Sequence, residues 1–395
     1  MICFPMPVAR PKLSKLGMAP LICLLFPLLV PASENTRPVT VGVFGLFRPT
    51  RIDIVTGQDT IVAILNRSTK IRRVLAGGQR LKVENHKERL KVSLFELDGS
   101  LLLAYGADAV RTEETNFTLS VPGRIQRDFF GQVEVIMRRG VLVPRVTVEE
   151  ESAVLQILRS EMSDGRQMEA LKAQAIIVRT YLQTSPGRHR SEGIDFCDTT
   201  HCQFFADVAA VGDRFSQAAT ATRGLVLTFL GKPFQPLYTA ACGGQTLAGF
   251  TGSNRAERGS GYSYRSVSCN FCADHPLFHW STTVDMQPLL GVLRREFPRD
   301  DPADILARLT QTGEGGDLGA LKEATRLSVG RTVGWNVIRS NRYSLEILSN
   351  SIRIRGHGSG HNFGLCQAGA IQLARQGKSM REILSFYFPG CSIER

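Results

Sequence analysis

The sequence contains no apolar run of the roughly 20 residues that a membrane-spanning helix requires. Its longest apolar run, Met18 to Val30, has thirteen residues. An internal repeat, a low-complexity linker and a helix-turn-helix or RNP-like segment are also lacking. We therefore expect one compact domain rather than a string of modules, and no nucleic-acid partner.

The first 32 residues have the layout of an export signal. Three basic side chains, Arg10, Lys12 and Lys15, precede the apolar run, and Val30 and Ala32 suit a signal-peptidase site. The alternative is an uncleaved anchor, for which the run is short. We expect residues 1–32 to be a signal peptide and the chain to act in the periplasm or at the extracellular cell-wall face. It would stay at a membrane only if the signal is uncleaved.

Positive charge dominates the chain, with 48 Lys and Arg residues against 36 Asp and Glu residues, a net charge of +12. Removing residues 1–32 removes three basic and no acidic residues, which leaves 45 minus 36, or +9. This excess favours a negatively charged partner, and for an exported chain an anionic cell-wall polymer fits better than nucleic acid. A generally basic, solvated surface is the plainer alternative.

Cysteine is present in an odd number once the signal is removed. Of nine cysteines, Cys3 and Cys23 lie in the signal. An odd number in an oxidising compartment implies a free thiol or a metal ligand beside any disulfides. The remaining seven are Cys197, Cys202, Cys242, Cys269, Cys272, Cys366 and Cys391.

Hydrophobic periodicity predicts an α+β fold. Residues 33–148 alternate apolar and polar side chains in short runs such as RIDIV and KVSLFEL, which predicts a β-rich N-terminal lobe. Residues 149–395 mix helical and strand patterns, which predicts a mixed region after the lobe. Helices are expected near 148–159, 166–183, 285–297, 302–311 and 365–376, and a last helix is expected to start at Ser379 with a capping box formed by Ser379 and Glu382. Strands are expected at 224–230, 232–240 and 342–355, and a loop at 312–320.

Glu161 lies at the break between the first two predicted helices, between Leu158 and Met162. A carboxyl that protonates a glycosidic oxygen needs a pKa raised by a poorly hydrated, partly apolar setting. This position suits such an acid, although an ordinary surface glutamate near a helix end has the same sequence pattern.

Three segments resemble the SpoIID/LytB family of bacterial cell-wall proteins, which includes stage II sporulation protein D and amidase enhancers. The first is Glu161-Met162 with the helix MEALKAQAIIVRTYL, and the second is YTAACGGQT, residues 238–246. The third is GSGHNFGLCQAGA, residues 358–370, which departs from the family pattern at Asn362, Leu365 and Cys366. The closing YFPG, residues 387–390, is also similar.

This resemblance implies a lytic transglycosylase, an enzyme that cuts peptidoglycan between N-acetylmuramic acid and N-acetylglucosamine without net hydrolysis. It also implies that residues 149–395 form the catalytic region, with a helix-flanked cleft. Glu161 would protonate the leaving oxygen and then accept the proton of the muramic C6 hydroxyl. No spacing in the sequence identifies the second carboxylate that ordinary glycoside hydrolysis uses.

The resemblance also implies a set of substrate-binding residues. Lys172 and Arg179 would bind the lactyl carboxylates of muramic acid, although either could instead pair with an acidic residue such as Glu169. The paired glycines would let the backbone approach a ligand, or they form a plain tight turn. The whole set is Lys172, Gln174, Arg179, Tyr238, Gly243, Gly244, Thr246, His361 and Gln367.

Two histidines and two cysteines lie close together in a polar loop: His189, Cys197, His201 and Cys202. Two imidazoles and two thiolates are enough ligands for a tetrahedral zinc ion, although their spacing in the sequence is unusual for a zinc site. A Cys197–Cys202 disulfide is the competing interpretation. Some members of the SpoIID/LytB family carry zinc on a histidine and cysteine cluster just after the helix that corresponds to MEALKAQAIIVRTYL. We therefore expect a structural zinc ion and no organic cofactor. Cys242 could likewise bond to Cys269 or Cys272.

Two other functions remain open on the sequence alone. The chain could bind the cell wall and stimulate a partner N-acetylmuramoyl-L-alanine amidase without cutting glycan. It could also be a cysteine hydrolase that pairs Cys366 with His357 or His361, although the motif context for this is poor.

Overall fold

Antiparallel strands occupy most of the chain between residues 39 and 148. The computed structural model describes residues 37–67, 69–162, 164–206, 213–249, 261–311, 313 and 316–395. The predicted signal peptide, residues 1–32, lies outside them. The strands are β1 (Val39–Gly42), β2 (Arg51–Thr56), β3 (Thr60–Leu65), β4 (Lys70–Leu75), β5 (Arg80–His86), β6 (Arg89–Phe95), β7 (Leu101–Ala107), β8 (Ala109–Thr112), β9 (Thr115–Val121), β10 (Ile125–Arg138) and β11 (Val141–Val148).

These strands form one curled sheet with β12 (Phe196–Cys197), which pairs in parallel with β1. The main strand order is β12-β1-β11-β10-β9-β2-β5-β6-β7, and β3, β4 and β8 branch from it. The long strand β10 changes partners at Gly131, pairing with β9 before it and with β8 and β11 after it. Gly131 has φ +141°, and a side chain there would overlap Val148, so this bend requires glycine.

The helices follow the large strand-rich segment, between residues 150 and 387. They are α1 (Glu150–Glu161), α2 (Met168–Thr184), α3 (Arg214–Ala221), α4 (Met286–Glu296), α5 (Pro302–Leu309), α6 (Gly316–Thr332), α7 (Gln367–Arg375) and α8 (Met380–Tyr387). Helix α2 packs against α1, α3, α7, α8 and one strand of the small sheets below. It is therefore the central helix of the main core, which also takes in the inward side chains of the large sheet.

Small sheets connect the helices. They comprise β13 (Val226–Phe229), β14 (Lys232–Pro233), β15 (Tyr238–Thr239), β16 (Gly244–Gln245), β17 (Ser268–Cys269), β18 (His279–Asp285), β19 (Arg342–Ile347), β20 (Ser351–His357), β21 (Leu365–Cys366) and β22 (Ser392–Glu394). Strands β15 and β21 pair in parallel. The β18-β20-β19 sheet packs with α4, α5 and α6 around a second, smaller core.

The mixed α+β fold with a β-rich N-terminal lobe is confirmed. Among the predicted elements, α1, α2, α4, α5 and α7 begin and end within two residues of expectation, and Ser379 and Glu382 form the expected capping box of α8. The predicted loop at 312–320 is wrong in its second half, because α6 already begins at Gly316. Its glycines lowered the helical signal of a helix that is held by packing in the second core.

Candidate active site

Glu161 is the last residue of α1, and its carboxyl points toward the loop that follows the cysteine and histidine cluster. The backbone N–H of Phe204 donates to its Oε1 over 2.6 Å. The Tyr238 hydroxyl also hydrogen-bonds to this carboxyl. From the other side, the Gln367 Nε2 donates to the Glu161 backbone carbonyl over 3.3 Å. Three separate segments of the chain therefore position this one residue.

Burial raises the pKa of the Glu161 carboxyl, and the hydrogen bonds from Phe204 and Tyr238 offset only part of that rise. The carboxyl also stands at the C-terminal end of α1, where the negative end of the helix dipole disfavours a second negative charge. Both effects favour the protonated form, which is the form that a general acid needs.

A cleft with about 750 Å³ of empty space, part of it open to solvent, lies over Glu161. It brings together four of the predicted catalytic and substrate-binding residues: Glu161, Tyr238, His361 and Gln367. Its other walls are Tyr181, Thr200, Cys202, Pro236, Leu237, Thr239, Ala240, Arg326, Leu327, Ser359 and Gly360. Among the described residues that line this cleft, Glu161 is the one carboxylate.

His361 lies in the cleft wall as a neutral imidazole that can both donate and accept a hydrogen bond. Burial, followed by the charge of Arg326, lowers the pKa of His361 to about 3. Its Nδ1 accepts the Phe363 N–H over 3.0 Å, so the proton of the neutral ring resides on Nε2. The ring also hydrogen-bonds to the Tyr238 backbone, and His361 thus ties the third motif to β15.

Arg326 is a cleft residue that the sequence analysis missed. It lies on α6, is nearly buried, and donates from Nε to the Asn341 Oδ1 over 2.5 Å. Arg326 also borders the same cleft as Glu161. The sequence holds no signal for this role, because α6 begins in a segment that its glycines marked as a loop and lies more than 150 positions from Glu161.

Arg179 does not reach the cleft. Its side chain is 0 % exposed, and its guanidinium makes a two-pronged ion pair with Glu151, Nε to Oε1 at 2.7 Å and Nη2 to Oε2 at 2.8 Å. A third hydrogen bond goes to the Leu225 carbonyl over 3.0 Å. Because α2 is buried on nearly all sides, its polar residues face protein, and Arg179 joins α2 to α1 rather than to a substrate.

The other two polar residues of α2 also lie away from the cleft lining. Lys172 pairs with Glu169 over 2.7 Å, the alternative that the sequence left open. Gln174 is fully buried, and its amide nitrogen and oxygen have no hydrogen-bond partner among the described residues. The structure therefore gives neither residue a position for direct substrate binding at this cleft.

The glycine pair after β15 serves backbone packing. Gly243 has φ +67°, and a Cβ there would overlap the backbone nitrogen of Gly358. Gly244, with φ +102°, faces the ring of Phe278 at 3.3 Å from its would-be Cβ. Thr246 is buried and accepts the Val267 N–H over 2.8 Å. Gly243 thus brings the second and third motifs into contact, and none of the three residues lines the cleft.

The side chains of His189, Cys197, His201 and Cys202 converge, with one donor atom from each lying within 4.8 Å of all the others. Cys202 Sγ lies 3.4 Å from His189 Nε2, and His201 Nδ1 lies 3.7 Å from both sulfurs. A tetrahedral zinc ion with bonds of 2.0–2.3 Å would set its ligand atoms about 3.3–3.8 Å apart. The four residues fit that ion.

A carboxylate supports the same cluster from outside. His189 Nδ1 lies 2.8 Å from Glu192 Oε1, which directs Nε2 toward Cys202. Metal-bound histidines commonly have such a partner on the other ring nitrogen. The cluster is tied to the large sheet by β12 and leads directly into Phe204, whose N–H contacts Glu161.

Cys366 is unsuited to nucleophilic catalysis. It is fully buried, and burial followed by three neighbouring cysteines raises its pKa well above that of an ordinary thiol. His361, its predicted partner, has its Nδ1 engaged with the Phe363 backbone. Nucleophilic cysteines need a lowered pKa and access to the substrate, so the geometry does not favour a cysteine hydrolase.

Comparison with known proteins places these residues in context. A family model described as SpoIID, stage II sporulation protein, matches residues 141–229, which contain Glu161 and the cysteine and histidine cluster. The stage II sporulation protein D of Bacillus subtilis is 25% identical over 268 residues, covering 62% of this chain and 74% of that protein.

Two further relatives extend the comparison. An uncharacterized protein of Brachyspira hyodysenteriae is 26% identical over 279 residues, which cover 67% of this chain and 72% of the relative. The amidase enhancer of Bacillus subtilis is 24% identical over 289 residues, covering 60% of this chain and 39% of the relative.

Proposed function

Because this chain belongs to the SpoIID/LytB family, whose members act on the bacterial cell wall, we propose that it is an exported peptidoglycan lytic transglycosylase. Its substrate is the glycan strand of alternating N-acetylmuramic acid and N-acetylglucosamine, and Glu161 is its acid and base. One observation carries the proposal: a single carboxyl with a raised pKa lines the cleft.

The proposed reaction needs one proton carrier. Protonated Glu161 donates its proton to the glycosidic oxygen as the bond from that oxygen to muramic C1 breaks, and the carboxylate remains. The muramic C6 hydroxyl then bonds to C1, and Glu161 accepts the hydroxyl proton. The product carries a 1,6-anhydro ring, no water is consumed, and Glu161 returns to its acid form.

The composition of the cleft favours this reaction over hydrolysis. Hydrolysis with two carboxylates requires a second one about 5–9.5 Å from the acid, as a nucleophile or as the base that activates water. Glu161 has no such companion among the described residues of the cleft wall. The Tyr238 hydroxyl next to Glu161 instead supplies a neutral group that steadies the carboxyl in either protonation state.

Arg326 gives the cleft a positive charge that can pair with a carboxylate of the substrate. The lactyl group of muramic acid ends in a carboxylate, and a partly desolvated guanidinium binds carboxylates strongly. Arg326 is the cation that borders the cleft in the described part of the chain, whereas Arg179 and Lys172 are paired elsewhere. We assign the substrate-carboxylate role to Arg326.

We also propose that His189, Cys197, His201 and Cys202 hold one structural zinc ion. All four ligand positions come from the protein, so the ion would leave no open position for water. Its role would be to hold the loop from residue 185 to residue 206, which delivers the Phe204 N–H to Glu161 and forms part of the cleft wall through Thr200 and Cys202.

Product analysis with Glu161→Gln tests the catalytic proposal. The variant should fold, because Gln keeps the acceptor for Phe204, and it should form anhydro-muramic ends at least about 100-fold more slowly from purified, peptide-free glycan strands. Glu169→Gln is the matched control, since Glu169 pairs with Lys172 outside the cleft. Equal rates for wild type and Glu161→Gln would refute the role of Glu161.

A second function is favoured by the similarity to an amidase enhancer. In this alternative the chain binds the wall and stimulates an amidase, and the cleft holds glycan without cutting it. The same experiment separates the two proposals: an enhancer would release no anhydro-muramic ends, yet would raise the turnover of added amidase equally as wild type and as Glu161→Gln.

A further inference from the structure

Four cysteines outside the candidate active site converge on one point in the core. One Sγ atom from each of Cys242, Cys269, Cys272 and Cys366 lies within 4.8 Å of all the others. The four residues are between 0 % and 2 % exposed. They come from three places in the chain: the turn after β15, the 3-10 turn Asn270–Cys272 with the residue before it, and the end of β21.

The distances match a single tetrahedral ion. With zinc–sulfur bonds of about 2.3 Å, the sulfurs of a four-cysteine site lie about 3.8 Å from one another. Cys242 Sγ and Cys272 Sγ are 3.6 Å apart. An iron–sulfur cluster inserts several irons and bridging sulfides between its cysteines, so it needs a wider ligand set than one confined to 4.8 Å.

The local sequence and backbone also suit a metal. Cys269 and Cys272 have the two-residue spacing of structural zinc sites, and the chain turns between them so that Cys272 Sγ lies 3.7 Å from the Cys269 carbonyl oxygen. Two backbone N–H groups, of Cys242 and Gly369, each donate to the Cys366 Sγ over 3.3 Å. Such donors stabilise the negative charge of metal-bound thiolates.

The packing around the sulfurs leaves no space for a larger group. Gly369 lies so close that a Cβ there would be 2.9 Å from Cys269 Sγ and would overlap the Tyr387 hydroxyl. That hydroxyl lies 3.1 Å from Cys269 Sγ. On this side, α7 and α8 therefore pack directly against the sulfurs.

We propose that Cys242, Cys269, Cys272 and Cys366 bind one zinc ion in a closed tetrathiolate site. Together with the first cluster this assigns six of the seven cysteines that follow the predicted signal, which leaves Cys391 alone and explains the odd number. The inference concerns metal binding and does not rest on the proposed glycan cleavage.

The ion would act as a structural link beneath the cleft. Cys242 follows β15, which carries Tyr238, and Cys366 ends β21 and is followed directly by Gln367. Tyr238 and Gln367 both contact Glu161. Joining the two strands through one ion would add to the backbone hydrogen bonds between these segments and would hold both contacts at the same time.

Metal analysis of the mature chain, purified without oxidant or chelator, tests the proposal. We expect two equivalents of zinc in the wild type and one in Cys197→Ala/Cys202→Ala, which lacks two ligands of the first cluster. X-ray absorption at the zinc edge of that double variant should show four sulfur neighbours at about 2.3 Å. Cys391→Ser is the matched control and should keep both equivalents, because Cys391 belongs to neither cluster.

The wild type gives a second measurement in case the double variant does not fold. Two filled sites average three sulfurs and one nitrogen per zinc, whereas the first cluster alone gives two of each. One equivalent with two sulfurs and two nitrogens would overturn the proposal, as would iron with acid-labile sulfide. Disulfides that join any two of the four cysteines, found by peptide mapping of the zinc-loaded protein, would overturn it as well.

Discussion

The backbone N–H of Phe204 donates to the carboxyl oxygen of Glu161 over 2.6 Å. Glu161 ends α1 and Phe204 follows Cys202 by two residues, so this hydrogen bond joins the candidate acid to the loop that carries His189, Cys197, His201 and Cys202. That loop is thereby part of the environment that sets the protonation of Glu161.

The raised pKa of Glu161 predicts that Glu161→Gln stabilises the protein at neutral pH. Below the unfolded-state pKa near 4.5 the carboxyl is protonated in both states and has no effect. As pH rises from there through the folded-state pKa, the unfolded chain ionises first and stability is lost. Gln avoids that loss, so the variant should gain about 1 kcal/mol in free energy of unfolding at pH 7, and the gain should vanish near pH 4.

Urea unfolding at several pH values measures this gain. Asp164→Asn is the matched control, in which the change in the free energy of unfolding should have the opposite sign. Hydrogen bonds from Arg166, with a further one from Arg375, lower the pKa of Asp164 to about 2. That carboxylate stabilises the fold above the unfolded-state pKa, so its loss should cost stability at pH 7 and progressively less as pH falls toward 2. A pH-independent difference for Glu161→Gln would contradict a raised pKa.

Arg179→Gln should lower the free energy of unfolding by about 3–5 kcal/mol, because it leaves the Glu151 carboxylate buried without its partner. Replacing both residues, as Arg179→Met/Glu151→Leu, should restore much of that loss. Arg223→Gln is the control: its pair with Glu149 is exposed, and its loss should cost about 0–1 kcal/mol. A stable Arg179→Gln that binds glycan more weakly would instead support a substrate role for Arg179.

Arg326→Gln should weaken the binding of peptide-free glycan about 10-fold or more, the scale of one charge-assisted hydrogen bond. Binding is best measured in a Glu161→Gln background, where the strand is not cut. Glycan with reduced lactyl carboxyls should bind equally well with and without the Arg326→Gln change, which separates carboxylate recognition from a general structural effect. Arg353→Gln is the matched control. Arg353 lies on β20, next to the second core, and its partly exposed side chain pairs with Glu346.

Glu192→Gln should lower the zinc affinity of the first cluster about 10- to 100-fold, because it removes the carboxylate that orients His189. Competition with a chromophoric chelator measures the affinity, and Glu88→Gln, an exposed change in the turn between β5 and β6, should leave it unchanged. An unchanged affinity in Glu192→Gln would contradict the site. A Cys197–Cys202 disulfide in the purified protein would select the competing interpretation.

Local signals in the sequence were sufficient for the helices that position Glu161. The repeat of apolar residues along α1 and α2, the break at Ser163-Asp164-Gly165 and the Ser379–Glu382 capping box depend on neighbours within a few positions. The motif segments likewise pointed to Glu161, Tyr238, His361 and Gln367, and the structure places these four around one cleft.

Tertiary structure alone decided which polar residues line the cleft. A helical pattern cannot show that the Arg179 side chain is fully buried in the fold or that it pairs there with Glu151, 28 positions earlier. Arg326 enters the cleft through the packing of a second core. Cys242 and Cys366 meet across 124 positions. Periodicity reports only near neighbours, whereas burial, ion pairing and ligand convergence depend on contacts between distant segments that form when the chain packs.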